Sequence, residues 1–141
     1  MAARDRLRSL PPGGSLDAGP TDPETGEAWD RLNVLGHTAE MLAFWVSQLR
    51  RGLRGEPYGR TEEGYRQRRA GIDAREEERT LRLKADRGCG RLLSLLDRLD
   101  DADLDRELNS LPGRPTLVRD ALERQLVGHL EAHVEQLVQL G

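Results

Sequence analysis

Apolar residues recur at alternating steps of three and four along much of this chain, which is the spacing of one face of an α-helix. The clearest run predicts a helix over residues 27–54 that is apolar on two sides, and such a helix is buried on both. One side carries Leu32, Leu35, Ala39, Leu42, Val46, Leu49 and Leu53. The other side carries Val34, Met41, Phe44 and Trp45, with His37 among them.

The residues before this helix are predicted to form a short helix and a loop. Residues 2–10 have helical spacing, and Pro11-Pro12-Gly13-Gly14 ends that helix because proline cannot continue it. Thr21-Asp22-Pro23-Glu24 has the form of a capping box for the next helix. We therefore divide the chain into an N-terminal segment, 1–26, and a helical domain, 27–141.

The middle of the chain predicts a long helix that is interrupted. Thr61 is a suitable N-cap for a nearly all-charged, solvated helix to residue 80, and a leucine seam continues to residue 99. One unbroken helix over 61–99 would be about 58 Å long, against about 42 Å for 27–54. We therefore expect a kink, a break or an overhang, in the polar 70s or at Gly88-Cys89-Gly90, where Cys89 is a small packing residue.

The last helix is predicted over residues 117–140. A turn at residues 111–115 precedes it, and Thr116 is a suitable cap. A stripe of leucine and valine residues runs along this helix, and His129 and His133 lie in the middle of the stripe.

Composition favours an all-helical fold. Charged residues make up 33% of the 141 residues and aromatic residues 4%, and no run of β-branched and aromatic residues predicts a strand. We therefore predict a single all-α domain, an up-down bundle of the four-helix type. Its first helix is short, and its long third helix is kinked.

Charge and cysteine content narrow the class of protein further. The net charge of −3 comes from interspersed acids and arginines, which argues against a nucleic-acid surface. The single cysteine excludes an intrachain disulfide. No signal peptide and no apolar run of the roughly 20 residues that a membrane span needs is present. We expect a cytoplasmic protein with no membrane partner.

The three histidines of the chain are candidate metal ligands. His129 and His133 are four residues apart, so they lie one above the other on a helix. Inside an apolar stripe they are costly without partners, and His37 lies on an apolar face of another helix. Three neutral imidazoles would leave open positions on a bound Zn, Ni, Fe(II) or Co. Alternatively, His37 bridges subunits by hydrogen bonding.

Two polar residues follow the histidines by one helical turn. Glu40 follows His37, and Gln136 follows His133. Each is a candidate fourth ligand, orienting partner of a ligand, or proton shuttle.

Three segments resemble one known family. Trp29-Asp30-Arg31-Leu32-Asn33-Val34-Leu35-Gly36-His37-Thr38-Ala39-Glu40 resembles the first-histidine segment of the DinB-like superfamily. The similarity is to the branch related to the N-terminal domain of mycothiol-dependent maleylpyruvate isomerase. Gly55-Glu56-Pro57-Tyr58-Gly59-Arg60, with the arginine-rich helix after it, resembles the same branch. Val127-Gly128-His129-Leu130-Glu131-Ala132-His133-Val134-Glu135-Gln136-Leu137 resembles its closing His-x-x-x-His-x-x-Gln helix.

The resemblance covers most of residues 22–140 and implies a function. It implies a four-helix bundle, often dimeric, with a divalent metal, here expected to be Zn or Ni, on His37, His129 and His133. Characterised relatives include transferases and isomerases that use mycothiol, bacillithiol or glutathione, with the metal activating the thiol as thiolate. The usual long first helix is reduced here to residues 2–10.

The resulting hypothesis is a metal-dependent, mycothiol-type S-transferase or isomerase acting on a small electrophile. In it, Glu40 or Gln136 positions a water or thiol, and Met41, Phe44 and Leu126 shape an apolar pocket for the thiol. The alternative is a non-catalytic, stress-associated binding or structural module whose metal site is structural or vestigial. Either protein is expected to be a homodimer, because the helices over 27–54 and 117–140 have more apolar surface than one contact needs.

Overall fold

The helical periodicity of the sequence is realised along most of the chain. The structure is a computed structural model that describes residues 1–73, 75–110 and 115–141. In chain order it forms α1 (Ala2–Ser9), α2 (Arg31–Leu53), α3 (Glu62–Asp73), α4 (Glu78–Arg98), α5 (Asp101–Leu104), β1 (Glu107–Leu108), β2 (Thr116–Leu117), α6 (Val118–Ala121), a π-helical segment (Leu122–Val127) and α7 (Gly128–Leu140). The predicted all-α helical bundle is confirmed, with one two-residue ladder added.

The start of α2 is set by a capping box that the sequence reading placed wrongly. The Asp30 carboxylate accepts a hydrogen bond from the Asn33 backbone N–H at 2.9 Å, and the Asn33 side chain accepts from the Asp30 N–H at 3.0 Å. The box predicted at residues 21–24 does not cap a helix. Instead, the Asp22 carboxylate accepts backbone N–H groups within its own turn.

Both apolar sides of α2 are covered within the chain. The helix packs against α3, α4 and α7, and eight of the eleven apolar residues on its two sides are buried, while Leu32, Phe44 and Leu53 are partly buried. Completely buried examples from the two sides are Leu35, Leu42, Leu49, Val34 and Met41. Covering α2 therefore requires no second subunit, and the predicted homodimer stays a prediction.

The predicted interruption of the third helix is confirmed in the polar 70s. α3 ends at Asp73 and α4 begins at Glu78, whereas Gly88-Cys89-Gly90 lies inside an unbroken α4. Thr61 caps α3 as predicted, with its hydroxyl accepting the Gly64 N–H at 3.3 Å. Cys89 is completely buried in the core, and burial raises the pKa of its thiol to about 11. Its predicted packing role is confirmed.

The short first helix is held on the bundle by buried apolar side chains and by two ion pairs. α1 packs on α4 and α7, with Ala3 and Leu7 buried. The guanidinium groups of Arg4 and Arg8 both bind the Asp86 carboxylate of α4, at 2.9 and 2.7 Å. The long loop after α1 then returns along the bundle to Asp30.

The approach to the last helix differs from the prediction. Thr116 lies in β2, which pairs antiparallel with β1, so it is not the helix cap; that position is taken by Leu117, without a side-chain bond. Most of the turn predicted at residues 111–115 falls on 111–114, outside the described residues.

Within the described ranges, no helix is both long enough and apolar enough to cross a bilayer.

Candidate metal centre

The three histidines meet between α2 and α7. His37 comes from the middle of α2, and His129 and His133 come from successive turns of α7. The Nε2 atoms of His37 and His129 are 3.4 Å apart, and one ring nitrogen from each of the three side chains lies within 4.8 Å of the others. His37 and His133 are only 2% and 9% exposed. The predicted convergence of these residues is therefore present in the fold.

A π-helical segment sets the direction of the histidine pair. The predicted last helix was uniform, but residues Leu122–Val127 are π-helical and lead directly into Gly128 and His129. The Gly128 N–H donates to the Glu123 carbonyl, and a Cβ on Gly128 would lie 2.6 Å from that carbonyl oxygen. Only glycine fits this close approach. A π-turn holds more residues than an α-turn, so it rotates α7 relative to α6.

The environment keeps His129 and His133 in the neutral form that binds metal. Burial lowers the pKa of His129 to about 4 and that of His133 to about 3, and the neighbouring histidines add to both shifts. Both rings are therefore neutral at pH 7 and carry a free lone pair.

Glu40 and Gln136 each contact the ring of one histidine. The Gln136 Oε1 lies 3.1 Å from the His133 Nδ1, so it accepts that N–H and leaves the His133 Nε2 as the lone-pair atom. One carboxylate oxygen of Glu40 faces the His37 Nδ1 at 3.4 Å. The two predicted catalytic residues therefore each contact a histidine ring, and Gln136 also lines the cavity beside the rings. Their catalytic role stays a prediction.

Glu40 is itself fixed by Arg60. Two guanidinium N–H groups of Arg60 donate to the two Glu40 oxygens at 2.6 and 3.2 Å, and the guanidinium stacks over the Phe44 ring at 4.2 Å. Burial alone would raise the pKa of Glu40, but the contacts with His37 and Arg60 outweigh it and keep the pKa below its usual value. Glu40 is therefore an ionised partner for the His37 ring.

The donor set fits a divalent metal ion. The Nε2 of His133 is buried and has no hydrogen-bond partner among the described residues, which is costly unless something binds it. Three neutral imidazole nitrogens are a ligand set that zinc, nickel and similar ions accept, with open positions left over. Gln136 fixes the orientation of the His133 ring through a hydrogen bond. The buried His37 Nδ1 has only a charge contact with a Glu40 oxygen at 3.4 Å and makes no well-aligned hydrogen bond within the described residues.

A cavity of about 220 Å³ opens in front of the histidines. Its wall combines the histidine helices, α3 and the loop before α2. It is formed by Pro20, Asp22, Thr25, Glu27, Trp29, His37, Arg68, His129, His133 and Gln136. The Trp29 ring lies 5.2 Å from the His37 ring and 6.0 Å from the His133 ring, centroid to centroid. The loop that follows the short first helix therefore closes one side of the site.

The residues predicted to shape an apolar pocket lie elsewhere. Met41 and Leu126 are completely buried in the core and do not line the histidine cavity. Phe44 lines a separate surface cavity of about 560 Å³, whose wall includes Glu40 and none of the three histidines. Arg68 and the loop residues were not among the predicted site residues. Arg68 belongs to the arginine-rich helix that the charge pattern predicts to be solvated, with binding as the alternative, and no local pattern marks the loop residues.

Comparison with known proteins identifies the family of the chain. A family model described as the DinB superfamily matches residues 1–137, a span that contains all three histidines. No curated protein matches the chain, and no solved structure does.

Proposed function

The chain belongs to the DinB superfamily, and from that premise we propose that it is a divalent-metal enzyme that activates a low-molecular-weight thiol. The proposed reaction is transfer of the thiol to a small electrophile, or a thiol-dependent isomerisation. The observation that carries the proposal is the convergence of three imidazole nitrogens, within 4.8 Å of one another, at the base of a cavity.

The chemistry of the site supports a thiol as the activated group. A divalent cation on His37, His129 and His133 would supply a Lewis acid that favours thiolate over thiol at neutral pH. In a transfer reaction, the sulfur forms a bond to carbon while the leaving group departs with its electron pair. The thiol proton ends on that leaving group.

The chain contributes orientation and shape. Gln136 and Glu40 contact the His133 and His37 rings, and Trp29 forms part of the cavity wall. A volume of about 220 Å³ is below the roughly 300–1,000 Å³ of sites for drug-sized ligands. The cavity therefore suits a small electrophile together with only the sulfur-bearing end of a thiol such as mycothiol.

Metal content is the first test. We expect protein purified without a histidine tag to hold close to one divalent ion per chain, Zn or Ni, by elemental analysis. His129→Ala should lose it, and Glu131→Ala, an exposed neighbour on the same helix, should retain it. Wild-type protein that stays metal-free after incubation with divalent metals would contradict the proposal.

Turnover is the second test. Metal-loaded protein should consume mycothiol with an electrophilic substrate, and a chelator should abolish the consumption. A protein that binds metal but is inert toward thiols and electrophiles would instead be the non-catalytic module with a structural metal.

A further inference from the structure

Arg68 is an arginine of α3 that forms no salt bridge within the described part of the chain, although its charge is one cause of the lowered pKa of Glu27. Its side chain lines the histidine cavity, and its guanidinium carbon lies 5.8 Å from the Trp29 ring centroid. Among residues 1–73, 75–110 and 115–141, no carboxylate or carbonyl accepts a hydrogen bond from it. Its neighbours differ, since Arg66 binds Glu63 at 2.6 Å and Arg69 binds Glu27 at 2.8 Å.

The acidic residues of the same cavity already have other partners. Asp22 accepts two backbone N–H groups of its own turn, at 2.7 and 3.3 Å. Glu27 accepts the Trp29 indole N–H at 2.6 Å and an Arg69 N–H at 2.8 Å. The hydrogen bonds of Asp22 and Glu27 therefore leave the Arg68 guanidinium without a paired acceptor, in the same cavity wall as the three histidines.

A half-buried guanidinium without an acceptor is suited to an anionic ligand. Guanidinium groups bind carboxylates through two parallel N–H···O bonds, and partial exclusion of water strengthens such a pair. Arg68 lines the same cavity as His129 and His133, so an anion bound to its guanidinium would lie close to the histidine rings.

We propose that Arg68 makes this cavity selective for ligands that carry a carboxylate, held at the guanidinium while the reactive end of the ligand points to the histidines. The inference rests on the proposed function only for the nature of that reactive end. Either the thiol or the electrophile supplies the carboxylate, because the contact at Arg68 is the same for both.

Binding of matched acids and amides tests the inference. The probes are 3-mercaptopropionate against 3-mercaptopropionamide for the thiol, and crotonate against crotonamide for the electrophile. Isothermal titration with zinc-loaded wild-type protein should show at least one acid binding about 10-fold or more tightly than its amide. The pair that shows the preference identifies the source of the carboxylate.

Substitutions on α3 supply the controls. Arg68→Met should remove the acid preference, and Arg68→Lys should restore part of it by keeping the charge without the paired N–H geometry. Arg66→Met, which removes an exposed arginine of the same helix, should leave the preference intact. Unchanged thermal melting of Arg68→Met is expected, since that side chain makes no hydrogen bond to the described residues.

The two proposals fail in different ways. Equal binding of acid and amide, an acid preference that survives in Arg68→Met, or no binding of any probe would overturn the role of Arg68. Thiol activation is tested separately by 3-mercaptopropionamide, whose sulfur should bind zinc-loaded protein but not the zinc-free protein or His129→Ala. The crotonate pair is also titrated into zinc-free protein, where the acid preference should persist.

Discussion

At the scale of single residues, the histidine cluster depends on side chains that do not reach the metal position. Glu40 is 12% exposed and lies between His37 and Arg60, bound to the guanidinium by two short hydrogen bonds. Without Arg60, its carboxylate would be a poorly compensated charge next to a ligand. We therefore expect Arg60 to act on His37 through the charge contact that Glu40 makes with its ring.

Arg60→Met is expected to weaken zinc binding by about 10- to 100-fold, the usual effect of losing a partner that orients a ligand. The measurement is competition with a chromophoric chelator, with thermal melting run alongside to confirm folding. Arg51→Met is the matched control, because Arg51 is exposed and its contact with Glu56 is far from the histidines. Equal zinc affinity in both variants would contradict the positioning role.

At the scale of elements, the π-helical segment Leu122–Val127 sets the orientation of α7 and of its two histidines. Its closure depends on Gly128, since any Cβ there meets the Glu123 carbonyl at 2.6 Å. The backbone must shift to relieve this contact, because a carbonyl in a helix has no free rotation of its own. The same shift moves His129, the next residue.

Gly128→Ala is therefore expected to lower the free energy of unfolding by about 1–3 kcal/mol, as overpacking does, and to weaken zinc binding. Urea denaturation and chelator competition measure the two effects. Gly90→Ala makes the same chemical change inside α4, where the new methyl meets only one guanidinium nitrogen of Arg4, at 3.3 Å, which also binds Asp86 at 3.1 Å. That control should change the free energy of unfolding by less than about 1 kcal/mol, because the gain from replacing glycine in a helix offsets any loss in this partly exposed ion pair. A Gly128→Ala protein as stable as wild type would refute the constraint.

At the scale of the whole molecule, the short α1 is held on the bundle by charge as well as by apolar contact. Asp86 binds both Arg4 and Arg8, and these contacts hold the pKa of its carboxyl well below the usual range. A depressed carboxyl pKa stabilises the fold above the unfolded pKa of about 4. The stabilisation is lost as the pH falls through the lower, folded pKa.

Asp86→Asn should cost about 1 kcal/mol at pH 7, a small amount because the Asp86 side chain is 26% exposed to solvent. Denaturation series at several pH values should show the mutant and wild-type stabilities converging below pH 4. Asp97→Asn, at an exposed site on the same helix, should follow the wild-type curve. A stability gap that persists unchanged at low pH would mean that the Asp86 charge is not the cause.

Metal binding should also stabilise the whole fold, because it joins α2 to α7. Zinc at 100 times its Kd contributes about 2.7 kcal/mol, which for a domain of this size raises Tm by about 5–10 °C. Scanning calorimetry should show this shift for wild type and for Glu131→Ala, and no shift for His129→Ala. A wild-type Tm that does not respond to zinc would count against the three-histidine site.

The sequence by itself determined the helices, an irregularity in the long helix predicted over 61–99, and the three histidines. Helical periodicity is a local property, so the sequence predicts the apolar sides of α2 without information on which elements cover them. Helix length indicated an irregularity, because one helix over 61–99 would be longer than its partner, and the structure resolved it as a break rather than a kink or an overhang. His37, His129 and His133 stand out because each interrupts an apolar face, where an unpartnered imidazole is costly.

Only the tertiary structure decided which neighbours each of these residues has. A periodic pattern shows which face a side chain occupies, but not whether that face meets the core or a cavity, and Met41 and Leu126 turned out to pack in the core. Trp29 and Arg68 reach the histidines because a loop without periodicity folds back over α2 and because α3 packs beside it. Such contacts join residues far apart in the chain, and their energies depend on the assembled fold.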